Sequence, residues 1–258
     1  MPRDVGSWTK NKLKILSDYL PVYLKATTRA MERIYIDGFA GPGLNRVRGT
    51  GKIVDGSPLI ALDAKAENGT TFTRLFFIER DEASALELEN TVAQRDTQRR
   101  CTVIPGDVNV ELPRLIERLP KRSPTFVFLD PEGIDPQWTT LQKIAGWKTE
   151  LLINFPFGMA INRNPDSGKV NAYYGTREWR PLWESTSPGR IRRLLDLYKN
   201  RLQELGWRYT TDADPVVTGT RGQRLYYLIF VSKVEPGQRI MKWVQERPDS
   251  AGQLRFKF

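Results

Sequence analysis

Histidine is absent from the 258 residues and cysteine occurs once, at Cys101. Without an imidazole, the usual neutral-pH general base, the Ser-His-Asp and Cys-His arrangements and most zinc sites are excluded. A lone cysteine excludes an intrachain disulfide, a four-cysteine zinc site and a cysteine-ligated iron–sulfur cluster. Cys101 opens an apolar strand-like run, so a buried core position is expected for it. No apolar run approaches the roughly 18 residues of a membrane span, and MPRDVGSWTKNKLK lacks the apolar core of a secretory signal. These absences set the expectation of a cytoplasmic protein with no membrane contact.

What is present suits one globular unit. The length, a charged fraction of 27% and a hydrophobic fraction of 40% predict a single α/β domain over 1–258. The net charge of +10 is uneven: residues 1–60 carry +5, 61–162 carry −3, 163–208 carry +5 and 209–258 carry +3. Basic flanks around an acidic middle fit a polyanionic partner, and fit a solvated basic surface equally well.

An N-terminal helical segment is expected over 8–30, where Leu13, Leu16, Leu20, Tyr23 and Leu24 recur at helical spacing and Pro21 predicts a kink or a helix pair. Apolar runs then alternate with helical stretches. Ile34–Ile36, Leu75–Glu79, Cys101–Ile104, Thr125–Leu129 and Glu150–Ile153 read as strands. Helices are expected from Ser57 as N-cap, over Asp81–Arg95 carrying Leu86, Leu88 and Val92, around Leu112–Leu119 and over Trp138–Ala145. Leu44–Gly56 reads as a long Gly- and Arg-rich loop. A basic helical insertion is expected over 163–206, with a helix from Arg190 to Leu205. Trp207–Val217 and Leu225–Lys233 then form a hairpin. Near-continuous apolar strands separated by helices imply a parallel sheet covered on both faces. Five such strands followed by a helix and a terminal hairpin give the order of the Rossmann-like class I methyltransferase fold, a mostly parallel seven-stranded sheet ending in an antiparallel hairpin.

In an open α/β sheet, ligands bind at the carboxyl ends of the strands. The first strand ends in Asp37-Gly38-Phe39-Ala40-Gly41-Pro42-Gly43, where glycines allow close backbone approach and positive φ. Glu79 closes the second, and its two carboxylate oxygens suit a pair of ribose hydroxyls. Serving a helix dipole is the plainer reading of the same acid. Asp107, followed by Val108, closes the third and suits an adenine amine. Asp37 and Glu79 lie 42 residues apart, about twice the spacing of a dinucleotide fingerprint, which argues against a nicotinamide dehydrogenase. Lys12 reads either as a partner for a cofactor carboxylate or as a solvated lysine.

On these residues the chain resembles the three-Cys-motif partner proteins. The resemblance runs over about 8–160 through Trp8, Lys12-Leu13, Ile15-Leu16 and Tyr19-Leu20, then Tyr35–Gly43, Gly56-Ser57-Pro58, Phe77-Ile78-Glu79, Gly106–Asn109 and Phe128–Pro131. It implies a methyltransferase-like domain with S-adenosylmethionine as cofactor, held by Lys12, Asp37, Gly38, Phe39, Ala40, Gly41, Gly43, Glu79, Asp107, Val108 and Asp130, and a cysteine-motif protein as partner.

A looser resemblance is to amino-group methyltransferases of DNA or RNA, in which an Asp/Asn-Pro-Pro-aromatic tetrapeptide closes the fourth strand and holds a flipped base. Asp130-Pro131-Glu132-Gly133 keeps the first two residues and departs at the last two. Asn154-Phe155-Pro156-Phe157, one strand on, has the residue types and reads either as a substitute or as a core turn. Asp130, Pro131, Glu132 and Asn154 are therefore the candidate catalytic residues. Arg46, Arg48, Lys52, Phe157, Tyr174 and Trp179 are the candidate substrate contacts, the aromatics interleaved with arginine as in stacking sites. A helical subdomain core accounts for Tyr174 and Trp179 nearly as well. The expected activity is methyl transfer to a nucleic acid without a metal. The rivals are a non-catalytic nucleic-acid-binding protein and methylation of a protein or small molecule.

Overall fold

The N-terminal pattern folds into β1 (Arg3–Val5) and α1 (Thr9–Ala26). The structure, a computed structural model, describes residues 2–6, 9–156, 168–211, 216–218 and 224–247. Trp8 and Phe157 lie outside them. α1 runs through Pro21 as one helix and not as a pair, because Leu16, Tyr19, Leu20, Tyr23 and Leu24 bury a single face on both sides of the proline. That packing outweighs the one backbone bond a proline removes.

β2 (Ile34–Asp37) follows, four buried residues long. The stretch expected as a loop at 44–56 instead holds β3 (Leu44–Val47) and β4 (Ile53–Asp55), an antiparallel pair. Parallel pairing of β1 with β3 makes a small three-stranded sheet. Gly49 and Gly51, at φ of 83° and 64°, turn the chain between β3 and β4. In α2 (Ser57–Asp63) the N-cap is Gly56 and not Ser57, whose hydroxyl is directed to Asp37 instead.

β5 (Arg74–Glu79), α3 (Glu82–Arg95), β6 (Cys101–Pro105), α4 (Val108–Ile116), β7 (Thr125–Leu129), α5 (Trp138–Ile144) and β8 (Thr149–Phe155) complete the alternation. α4 begins four residues before the expected Leu112, since Asp107 caps it and Pro113 is tolerated inside it. Leu86 is 59% exposed on α3, so Leu88 and Val92 carry that helix's packing. Cys101 is half-buried, and burial beside Asp96 pushes its thiol pKa well up.

The remaining elements are α6 (Lys169–Tyr174), α7 (Trp179–Glu184), α8 (Arg190–Glu204), β9 (Tyr209–Thr210), β10 (Val216–Thr218), β11 (Arg224–Ser232) and α9 (Glu235–Glu246). α9 was not among the expected elements, although Glu235-Pro236 and the spacing of Ile240, Met241 and Val244 suit a helix; it packs on α1 and β11. The main sheet has the order β10-β11-β8-β7-β2-β5-β6, with β9 also on β11. β2, β5, β6, β7 and β8 are mutually parallel, and β11 is antiparallel to β8. This is the expected mostly parallel sheet with its antiparallel C-terminal strand.

The sheet separates two apolar layers. Side chains of α1, α2, α3 and α9 meet one face around Tyr19, Tyr23, Tyr35, Phe72 and Phe126. Those of α4 to α8 meet the other around Trp138, Phe155, Tyr173, Tyr174, Trp179 and Tyr198. Strand order reverses at β2, flanked by β5 and β7, so the carboxyl ends of β2 and β7 open the crevice where ligands bind in such sheets. None of the described helices is long and apolar enough to cross a membrane.

Candidate functional site

The turn after β2 is built on a buried carboxyl. Asp37 Oδ1 accepts from the Phe39 amide at 3.1 Å, and Oδ2 from the Tyr35 hydroxyl at 3.3 Å. Burial pushes the Asp37 carboxyl up to about 7, against hydrogen bonds from Ser57, Phe39 and Tyr35 that lower it; nearby Asp130 adds to the rise. Asp37 therefore supports the turn from beneath and lines neither of the two cavities that open beside it. Above it, Gly38 approaches the next layer closely: a Cβ there would lie 2.6 Å from Leu129 Cδ2 and 3.0 Å from Val108 Cγ2. Gly41 and Gly43 sit at φ of 64° and 87°.

Glu79 at the end of β5 reaches back to this turn. Its Oε2 accepts from the Gly41 amide at 2.6 Å, and its Oε1 from the Asp81 amide at 2.9 Å. It thus fixes the turn, and each oxygen keeps a second lone pair for a ligand hydroxyl. Asp107 caps α4 by accepting from Asn109 at 2.8 Å, and its other oxygen lies 3.9 Å from Arg80 Nη1.

These residues open onto a cleft of about 660 Å³. Gly38, Phe39, Gly41, Glu79, Asp107, Val108 and Asp130 line it, seven of the eleven residues expected at a cofactor. A second cavity of about 380 Å³ adjoins it and is lined by Lys12, Ala40 and Gly43, three more of that set. Arg3, Phe39, Gly41, Asp130, Pro131 and Glu132 border both. The loop after β7 is thus the partition between two chambers.

Lys12 is 6% exposed, which removes the solvated reading. Its Nζ donates to Asp130 Oδ1 and Oδ2 at 2.6 and 2.8 Å and lies 5.0 Å from the Tyr226 ring centroid. Asn154 Nδ2 donates to Asp130 Oδ1 at 2.6 Å. Asn154 is fully buried, lines neither cavity and acts on the site through Asp130. Its Oδ1 is buried with no hydrogen-bond partner among the described residues.

Of the expected substrate contacts, Arg46, Arg48 and Lys52 are exposed on the β3–β4 hairpin, and Arg48 lines the second cavity. Tyr174 and Trp179 do not join them. They are 0% and 1% exposed, stacked on one another at 6.3 Å between centroids, with Tyr174 edge-on to Phe155. The helical-core reading is correct for both. Phe157 is outside the described residues.

Arg3 and Tyr226 were missed. Arg3 borders both chambers and forms an ion pair with Glu132. Tyr226 walls the second chamber beside Lys12. A single arginine in a three-residue strand carries no sequence signal, and Tyr226 sits in a run, Leu225–Val231, that reads only as strand.

No protein-family model matches the sequence, and no curated protein matches it significantly. Solved structures do match in shape. The chain is similar to protein LPL1258 from Legionella pneumophila, at 10% identity over 92% of this chain and 91% of that one, with a TM-score of 0.53. It is also similar to Trm1 from Pyrococcus horikoshii, whose structure is a complex with S-adenosyl-L-methionine, at 12% identity over 92% of this chain and 57% of that one, with a TM-score of 0.50. At such identities the likeness is one of fold, and the fold is the Rossmann-like class I methyltransferase fold.

Proposed function

We propose that the protein is an S-adenosylmethionine-dependent methyltransferase with the cofactor in the larger cleft and the acceptor in the adjoining chamber. One observation carries this: chemically matched groups from four separate strand ends converge on one cleft at the sheet's switch point. The residues present fit a nucleoside-bearing group. Gly38 lines the cleft without a side chain, Glu79 keeps lone pairs for ribose hydroxyls, and Asp107 is half-exposed and offers an acceptor for an exocyclic amine. The cofactor would supply an activated methyl group. Asp130, at the partition, would orient the acceptor by accepting its N–H or O–H, while Lys12 and Asn154 hold the carboxylate in place. Catalysis would then rest on proximity and orientation.

The acceptor we favour is a nucleic acid. The β3–β4 hairpin brings Arg48 to the second chamber and carries Arg46 and Lys52 exposed beside it, where phosphates would pair with them. A non-catalytic nucleic-acid-binding protein of the same fold is the second reading, favoured by the pairing of Glu132 with Arg3 where methyltransferases of amino groups carry a second proline. A cytoplasmic setting, and a cysteine-motif partner like those of the three-Cys-motif partner proteins, complete the proposal. Calorimetric titration with S-adenosylhomocysteine tests it. Micromolar binding with one site is expected, and no binding at millimolar ligand would remove the cofactor and the activity together. Transfer of labelled methyl groups to total DNA or RNA then separates the two readings.

A further inference from the structure

The loop after β7 brings two carboxylates, Asp130 and Glu132, to the partition between the chambers. Each is met by a cation from the N-terminal segment: Lys12 of α1 lies 2.6 Å from Asp130, and Arg3 of β1 pairs with Glu132. Arg3 also leans over the glycine turn, so that a Cβ on Gly41 would stand 3.5 Å from its Nη1. Two acids and two bases balance where donor and acceptor would meet. That balance matters because the donor in the proposed reaction carries a sulfonium cation and its demethylated product a neutral thioether. They differ by one charge at sulfur, the atom that gives up the methyl group.

We infer that Arg3 and Glu132 set how the site discriminates S-adenosylmethionine from S-adenosylhomocysteine. Arg3 masks Glu132, so the carboxylate does not pull on the sulfonium. Removing Arg3 exposes it, and removing the Glu132 charge leaves Arg3 facing a like charge. The two changes act in opposite directions on the same ratio. The Arg3 side chain is 35% exposed and that of Glu132 80%, so water and salt screen the effect and each shift is about two- to fivefold. Lys12 and Asp130 are more buried and serve position, whereas the Arg3–Glu132 pair is the adjustable one.

This inference rests on the cofactor reading, and one experiment separates them. Both ligands are titrated by calorimetry at low salt into the full chain and into Arg3→Gln, Glu132→Gln and the double variant. The affinity ratio of methylated to demethylated ligand should rise about two- to fivefold in Arg3→Gln, fall by a similar factor in Glu132→Gln and return to the starting value in the double variant. A ratio constant to within experimental error across all four proteins, even with both affinities weakened, overturns the inference and leaves the cofactor reading standing. Failure of either ligand to bind the unmodified chain overturns both.

Discussion

Lys12 and Asp130, 118 residues apart, are joined by two short bonds of 2.6 and 2.8 Å, and the Asn154 amide adds a third contact to the same carboxylate. The first turns of α1 are thereby tied to the end of β7. Lys12→Met would leave a partly buried carboxylate with only an amide donor and should destabilise the fold by about 1–3 kcal/mol. Adding Asp130→Asn should recover part of the loss, because the uncompensated charge goes with it. A double-mutant cycle by urea denaturation measures the coupling. Additive single losses would show that the pair contributes nothing.

Glu79 holds the glycine turn and faces the cleft, so its two duties need separate variants. Glu79→Gln keeps a carbonyl acceptor for one of the Gly41 and Asp81 amides, whereas Glu79→Ala leaves both without their side-chain acceptor. S-Adenosylhomocysteine affinity should fall in both, by about 1–3 kcal/mol in the alanine variant. Thermal unfolding should shift more in the alanine variant, which loses both acceptors, than in the glutamine variant, which loses one. Unchanged affinity in a folded Glu79→Ala protein would end the ribose assignment.

At the opposite end of the sheet, Glu150 is buried and bonded by the Tyr19 hydroxyl at 2.5 Å and the Ser232 hydroxyl at 3.1 Å, yet burial still pushes its carboxyl up to about 7. The folded chain therefore keeps a proton that the unfolded chain loses near pH 4. The stabilisation is full below about pH 4 and disappears as pH rises through about 7. Glu150→Gln mimics the protonated form. Relative to the unmodified protein it should gain roughly 2–3 kcal/mol between pH 5 and pH 8, read as the difference in urea unfolding free energy. Asp37 shifts in the same sense and is present in both proteins, so it cancels in the comparison. A pH-independent difference would place the Glu150 carboxyl in its ordinary range.

The basic hairpin and the buried aromatics predict different failures. Replacing Arg46, Arg48 and Lys52 with serine should leave stability nearly unchanged and flatten the salt dependence of nucleic-acid binding by about 0.7–0.9 in log–log slope for each phosphate left unpaired. Trp179→Ala should cost about 3–5 kcal/mol of stability, since it empties a core position. Filter binding across a salt series and thermal unfolding provide the two readouts. An unchanged slope in the folded triple variant would remove the hairpin from the interface.

The parts legible in the sequence were those where local pattern and burial agree. Runs such as Phe126–Leu129 are apolar at every position because helices cover both faces, and the runs of β2, β5, β6 and β7 lead into a glycine or an acid that marks the ligand side. β1 and β3 were not legible: Arg-Asp-Val and Leu-Asn-Arg-Val alternate in neither polarity nor β propensity, and they exist by pairing with one another. Tyr174 and Trp179 misled because arginines interleave with them along the chain, while α6 and α7 turn the rings into the core and Arg180 lies over the Trp179 ring. The meeting of Arg3 with Glu132 depends on strands that pair across the fold, and no local spacing encodes it.

β11 sits between β8 and β10 and pairs with β8 from Tyr227–Phe155 to Ser232–Glu150, although the chain between them is long. A ribosome adding about 5–20 residues per second needs roughly 4–15 s to cover the 77 positions from Phe155 to Ser232. A chain that formed β8 within that interval would present unpaired amides and carbonyls of Leu151, Leu152 and Ile153 on an apolar edge. A low concentration of nascent chains, or a chaperone that shields a strand edge, should therefore raise the yield of folded protein by protecting the side of β8 that β11 covers.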